Sequence, residues 1–192
     1  MGCELGKLAT TPKPQNQTSA TDPRLPLTAK QKFIVMASWK AVSRELEATG
    51  VFMLIRLFEE NEELIQMFSR FLDLKSKEEP YDMVELGKHA EKVMTALDEG
   101  IKGLDDMDVV LTCLHQVGAT HTKIPGFNPQ YFWKIEQPFL QAVKRTLDDR
   151  YSDNVESIYK ITIKFIIETL IDGFDKAQSQ NDKAQSADTA KS

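Results

Sequence analysis

The sequence has little of several things, and each shortage excludes a class. It has 192 residues and only two cysteines, Cys3 and Cys113, with no CxxC pair. A disulfide framework or a cysteine-rich structural metal site is therefore excluded, and a reducing compartment is implied. Lys and Arg number 24 against 29 Asp and Glu, for a net charge of −5. Without a cationic surplus the chain lacks the means to displace counterions from a nucleic acid. No apolar run reaches the roughly 20 residues that span a bilayer. The N-terminus has no apolar core of the secretory-signal kind. Nor is there a convincing run of the apolar–polar alternation that marks strands.

What remains is helical periodicity between two polar ends. Residues 1–26 include Pro12, Pro14, Pro23 and Pro26 among Thr, Ser, Gln and Asn, a composition that buries too little apolar surface to offset chain entropy. Residues 176–192, KAQSQNDKAQSADTAKS, read the same way. The expected organisation is a disordered N-terminal tail (1–26), one all-α domain (27–175) and a disordered C-terminal tail (176–192). At its start, Thr28 and Gln31 have capping-box spacing. Val35, Trp39, Val42 and Leu46 then share a face. A second helix is expected after Gly50, with the stripe Val51, Leu54, Ile55 and Phe58. Leu64, Met67, Phe68, Phe71 and Leu72 suggest a short helix, and 73–80 a charged loop. Helices follow over about 81–101 and 107–122, then one opened by Asn128 and Pro129 and kinked at Pro138, then one over about 153–174.

The chain contains three histidines, His89, His115 and His121. At 100° per residue His89 lies about 40° from Val93 and about 60° from Leu86, pointing with the apolar stripe. His121 continues the series Val110, Leu114, Val117 and also points inward. His115 lies about 120° round the helix from His121, so the two cannot share one ion. An imidazole on an apolar stripe needs partners for its nitrogens. Taken singly, either histidine reads as a core residue bonded to a backbone carbonyl. Taken together, on consecutive long helices, they offer two imidazoles to one cleft. A bare zinc ion would want three or four ligands, and no cysteine or carboxylate cluster joins them. A planar iron macrocycle brings four nitrogens and needs one or two axial ligands in an apolar slot.

These residues resemble a globin over about 27–175. Trp39 sits in the first helix, and KAVSR (40–44) leads into GVFMLIRLF (50–58). Phe68 ends ENEELIQMF, His89 lies in LGKHAEKVM (86–94), and His121 lies in VGATHTKIPGF (117–127). The 32-residue separation of His89 and His121 suits a distal–proximal pair better than the 26 to His115. Within the family the segments are most like the neuroglobin and membrane-associated globin X types.

The resemblance implies a globin fold of about eight helices around a haem b (iron protoporphyrin IX). His121 would be the iron ligand and His89 the distal histidine, with Phe68, Val93 and Leu54 lining the pocket. It implies reversible binding of oxygen and other diatomic ligands, for carriage or storage. The alternative is a six-coordinate, membrane-associated redox or sensor globin working with a reductase on nitrite, nitric oxide or electron transfer. In that case oxygen must displace His89, and apparent affinity falls with the fraction of open sites. A third reading, from another class, is a haem-free helical adaptor with both histidines in polar core networks. The chain departs from the neuroglobin pattern at Tyr159, where Trp is usual, and has no cysteine between Phe68 and His89 to form a loop disulfide. The start, MGCELGKL, offers Gly2 for myristate and Cys3 for palmitate, although Gly6 stands where Ser or Thr is preferred. Two acyl chains would anchor a cytoplasmic protein stably to the inner face of the plasma membrane, where one binds marginally.

Overall fold

The computed structural model describes residues 21–69 and 83–189. Gly2, Cys3, Phe71, Leu72 and the 73–80 segment lie outside the described residues. The described residues form seven α-helices and three short 3-10 segments, with no strand.

Helix α1 (Ala29–Val42) opens with the expected capping box: the Gln31 N–H donates to Thr28 Oγ1 at 3.3 Å and the Thr28 N–H donates to Gln31 Oε1 at 2.9 Å. Two orphan donors of the first turn are thereby satisfied. Val35, Trp39 and Val42 are buried as read, but Leu46 begins a new helix, α2 (Leu46–Glu60). Gly50 does not precede this helix; it lies inside it. A Cβ there would meet Met94 Cγ at 2.5 Å and the Ala90 carbonyl at 3.2 Å, so its missing side chain lets α2 cross α4 closely. Helix α3 (Glu62–Ser69) is short. Helix α4 (Met83–Lys102) buries Leu86, Ala90, Leu97 and Ile101, while Met83, at the head of the expected stripe, is exposed.

Helix α5 (Met107–Thr120) ends in a 3-10 turn, His121–Lys123. Asn128 caps the next segment by accepting from the Gln130 N–H, but the backbone there is 3-10 over Pro129–Ile135, and α6 (Glu136–Leu147) begins after it. Pro138 therefore falls in the first turn of α6, where its missing N–H costs nothing, and it kinks no helix. Helix α7 (Asp153–Thr189) runs past the expected end near Phe174. Phe174 is its last buried hydrophobic residue, and residues 178–183 are exposed. The helix continues beyond Phe174 because its Lys, Gln, Asp and Ala side chains tolerate helix, and pairs such as Lys176–Asp172 lie at i,i+4 spacing.

Helix α5 lies along α7, α2 packs on α4 and α6, and α1 touches α4, α6 and α7. Two features lock this arrangement. The Asp98 carboxylate of α4 accepts from Trp39 Nε1 at 2.9 Å and Ser43 Oγ at 2.6 Å, and from Lys102 Nζ, tying α4 to α1. Tyr159 is fully buried between α1 and α7, its hydroxyl 3.0 Å from Ser38 Oγ, and burial pushes its phenol up to about 12.

Candidate functional site

His89 projects from the middle of α4 and is half-buried. Its ring stands edge-on to Phe68 of α3, with centroids 5.0 Å apart, and Phe68 in turn meets Phe58 of α2 at 4.8 Å. His89 is thus backed by aromatic carbon from two other helices. Val93, one turn on, is half-buried against the core, and Leu54 of α2 is buried.

His121 sits where α5 passes into the 3-10 turn. Its ring is flanked by Phe127 at 4.9 Å and Phe132 at 4.7 Å, and Phe127 reaches Phe174 of α7 at 5.8 Å. The turn that brings Phe127 back uses Gly126 at φ 75°, a conformation that favours glycine. The helix is held in place by close crossings. A Cβ on Gly118 would overlap the Leu170 carbonyl, and one on Gly173 would overlap the backbone of His115, so α5 and α7 touch backbone to backbone one turn before His121.

His121 Nδ1 lies 2.8 Å from the Val117 carbonyl oxygen. A carbonyl only accepts, so Nδ1 carries the proton and Nε2 keeps its lone pair. The carbonyl partner of the core-histidine reading is therefore present, but it takes one nitrogen and leaves the other as a donor to a metal. Sequence alone did not identify this acceptor; the four-residue spacing back along α5 was the only signal for it.

Burial lowers the pKa of both imidazoles. For His89 the nearby His121 adds to the effect, followed by Lys92; for His121 the bond to Val117 opposes it. Both rings thus favour the neutral form that ligates metals. His115 is elsewhere, its Nε2 2.9 Å from Asp172 Oδ2 of α7, as its helical angle predicts. Cys113 is half-buried beside Glu99.

The donor set decides what could bind. No group of three or more His, Cys, Asp and Glu side chains is placed to hold a metal ion among the described residues. Two neutral imidazoles in aromatic and aliphatic surroundings suit a cofactor that brings its own equatorial nitrogens, and they do not suit a bare ion.

Comparison with known proteins agrees. Residues 51–170 match the globin family. The chain is 32% identical over 118 residues to cytoglobin-1 of Oryzias latipes, covering 62% of this chain and 67% of the relative. It is 25% identical over 158 residues to neuroglobin of Dissostichus mawsoni, covering 82% and 98%. A solved hexacoordinated heme protein from an anhydrobiotic tardigrade superposes with a TM-score of 0.74 at 37% identity, covering 81% of this chain and 99% of that one.

Proposed function

The chain belongs to the globin family, and on that footing we propose that it is a haem-binding globin that reversibly binds oxygen, with haem b held by His121 and faced by His89. The observation that carries this reading is the His121 Nδ1–Val117 bond, which fixes the tautomer that presents Nε2 as a ligand. Bound here, haem would supply an iron that takes diatomic ligands. The chain supplies the rest. His121 anchors the group, and Val117 fixes its ring. Phe127 and Phe132 wall the proximal side, while Phe68, Val93 and Leu54 keep water from the distal side. His89, neutral and with one N–H, can donate a hydrogen bond to a diatomic ligand.

The second reading keeps the haem and gives His89 the sixth position. The likeness to a hexacoordinated heme protein favours it. The absorption spectrum of the purified, haem-loaded, reduced protein separates the two. Two sharp visible bands mean low-spin iron bound by His89; one broad band means an open site. Substituting His89→Leu should convert the first spectrum to the second. His121→Leu should abolish stable haem uptake, and a variant that holds haem with an unchanged spectrum would remove His121 as the ligand; a parent chain that takes up no haem, with His121→Ala folding normally, would favour the haem-free adaptor.

Acylation at Gly2 and Cys3 is part of the same proposal, with the polar stretch to Pro26 as a tether for a cytoplasmic domain and a membrane-bound reductase as its partner. Among the described residues no helix is long and apolar enough to cross a membrane, so attachment would depend on those lipids. Mass spectrometry of the N-terminal peptide from expressing cells tests it: an unmodified peptide removes the anchor.

A further inference from the structure

Helix α1 has two unlike sides. Val35, Trp39 and Val42 are buried in the core. On the opposite side Lys30, Phe33, Ala37 and Lys40 are all exposed, at steps of three, four and three that keep them within about 80° of one another. Arg44, four residues on in the turn that closes the helix, is exposed as well. Phe33 is 72% exposed, the most open large hydrophobic side chain among the described residues. The helix contains no Asp or Glu, although the chain as a whole is acidic. Cations elsewhere are engaged, Lys32 with Asp105, Lys102 with Asp98 and Lys160 with Glu156. The side chains of Lys30, Lys40 and Arg44 have no hydrogen-bond or ion-pair partner among the described residues.

We propose that this side of α1 is a docking surface for an anionic lipid bilayer, with Phe33 entering the headgroup region and Lys30, Lys40 and Arg44 on the lipid phosphates and carboxylates around it. Charge selects the occupant. A second copy of the chain would set cations against cations. Residues 1–20 carry Lys7 and Lys13 against the single acid Glu4, so the chain's own N-terminal stretch offers no matching charge. An anionic membrane matches both halves of the pattern: it attracts unpaired lysine and arginine, and it takes a lone aromatic ring into the boundary between headgroups and acyl chains. The outer side of a single helix is convex, a shape that a flat, deformable interface accepts readily. The acids on the rest of the molecule do not cancel this, because charges more than about 8 Å away are screened at physiological salt. The surface stands whether or not Gly2 and Cys3 carry lipids.

The test uses the full chain made in bacteria, where no acyl chain is added. It is mixed with vesicles of phosphatidylcholine alone, or of equal parts phosphatidylcholine and phosphatidylserine. Sedimentation should carry the chain down with the mixed vesicles and leave it in solution with the neutral ones, and added salt should release it. Each cation near an anionic surface is worth roughly fivefold in partition, so Lys30→Gln, Lys40→Gln and Arg44→Gln together should lose about a hundredfold. Phe33→Ser should also weaken binding while leaving its salt dependence in place. Helical circular dichroism should be unchanged in every variant, because the substituted side chains are exposed. Equal sedimentation with both vesicles, or of the parent and the triple variant, overturns the assignment. No sedimentation with the mixed vesicles overturns it too, and capture of the same chain by poly-glutamate would then give the face to an acidic protein. Acylation is read separately from the N-terminal peptide, so either result can fail alone.

Discussion

At the scale of single residues, Asp98 holds Trp39, Ser43 and Lys102 at once. Burial pushes its carboxyl up, but the three donors together outweigh burial and hold it below the usual value of 3.8. A depressed carboxylate stabilises the fold fully above its unfolded pKa, and that contribution is lost as pH falls through the folded value. Asp98→Asn should therefore cost about 1.5 kcal/mol at neutral pH. In urea titrations the gap between variant and parent should narrow as pH falls below the usual carboxylate range; a gap of equal size at neutral and acid pH would mean that the charge is not the cause. Asp148 is a second residue with a local cost. It ends α6 at φ 49° and ψ −124°, a region that L side chains avoid. Asp148→Gly should raise stability by about 1 kcal/mol, read as a higher denaturation midpoint at an unchanged slope.

At the scale of elements, the glycine crossings give the sharpest contrast. Gly118→Ala would drive a methyl group into the Leu170 carbonyl and the Phe174 backbone, atoms that no rotamer change can move aside. It should cost about 3 kcal/mol and weaken haem retention, since His121 lies three residues further on. Gly126→Ala is the matched control: nothing lies within 4 Å of its Cβ, so only the strain of φ 75° is incurred, about 1 kcal/mol, with the haem spectrum unchanged. Equal losses from the two, read by thermal unfolding and haem transfer, would refute the crossing argument. These elements also mark where sequence reading stops. Apolar spacing located the helices and turned His89 and His121 inward, because the 3.6-residue period depends only on local residue types. It did not show that Gly50 sits within α2, because a close crossing is a property of two helices and only one is visible in a local window. It placed a regular helix after Pro129, where a 3-10 turn precedes Pro138. It could not name Val117, because a backbone carbonyl carries no letter of its own.

At the scale of the whole molecule, a cofactor bound only by the folded state adds to its stability. Haem at a thousand times its dissociation constant should contribute about 4 kcal/mol, raising the melting temperature by about 10 °C over the haem-free chain. In His121→Leu that difference should vanish in calorimetric scans with and without haem; a persistent difference would place the haem elsewhere. The two helices that would hold the cofactor are not braced alike. Helix α5 meets α7 main chain to main chain at Gly118 and Gly173, whereas α4 meets α2 at Gly50 partly through the unbranched side chain of Met94. Mechanically, the proximal wall is an anvil and the distal wall a spring. On the proposed six-coordinate reading, in which an incoming gas and His89 contend for one position, the recoil would belong to α4. Ligand affinity in this chain is therefore open to adjustment by the stiffness of the α2–α4 contact, at a residue that touches neither iron nor gas.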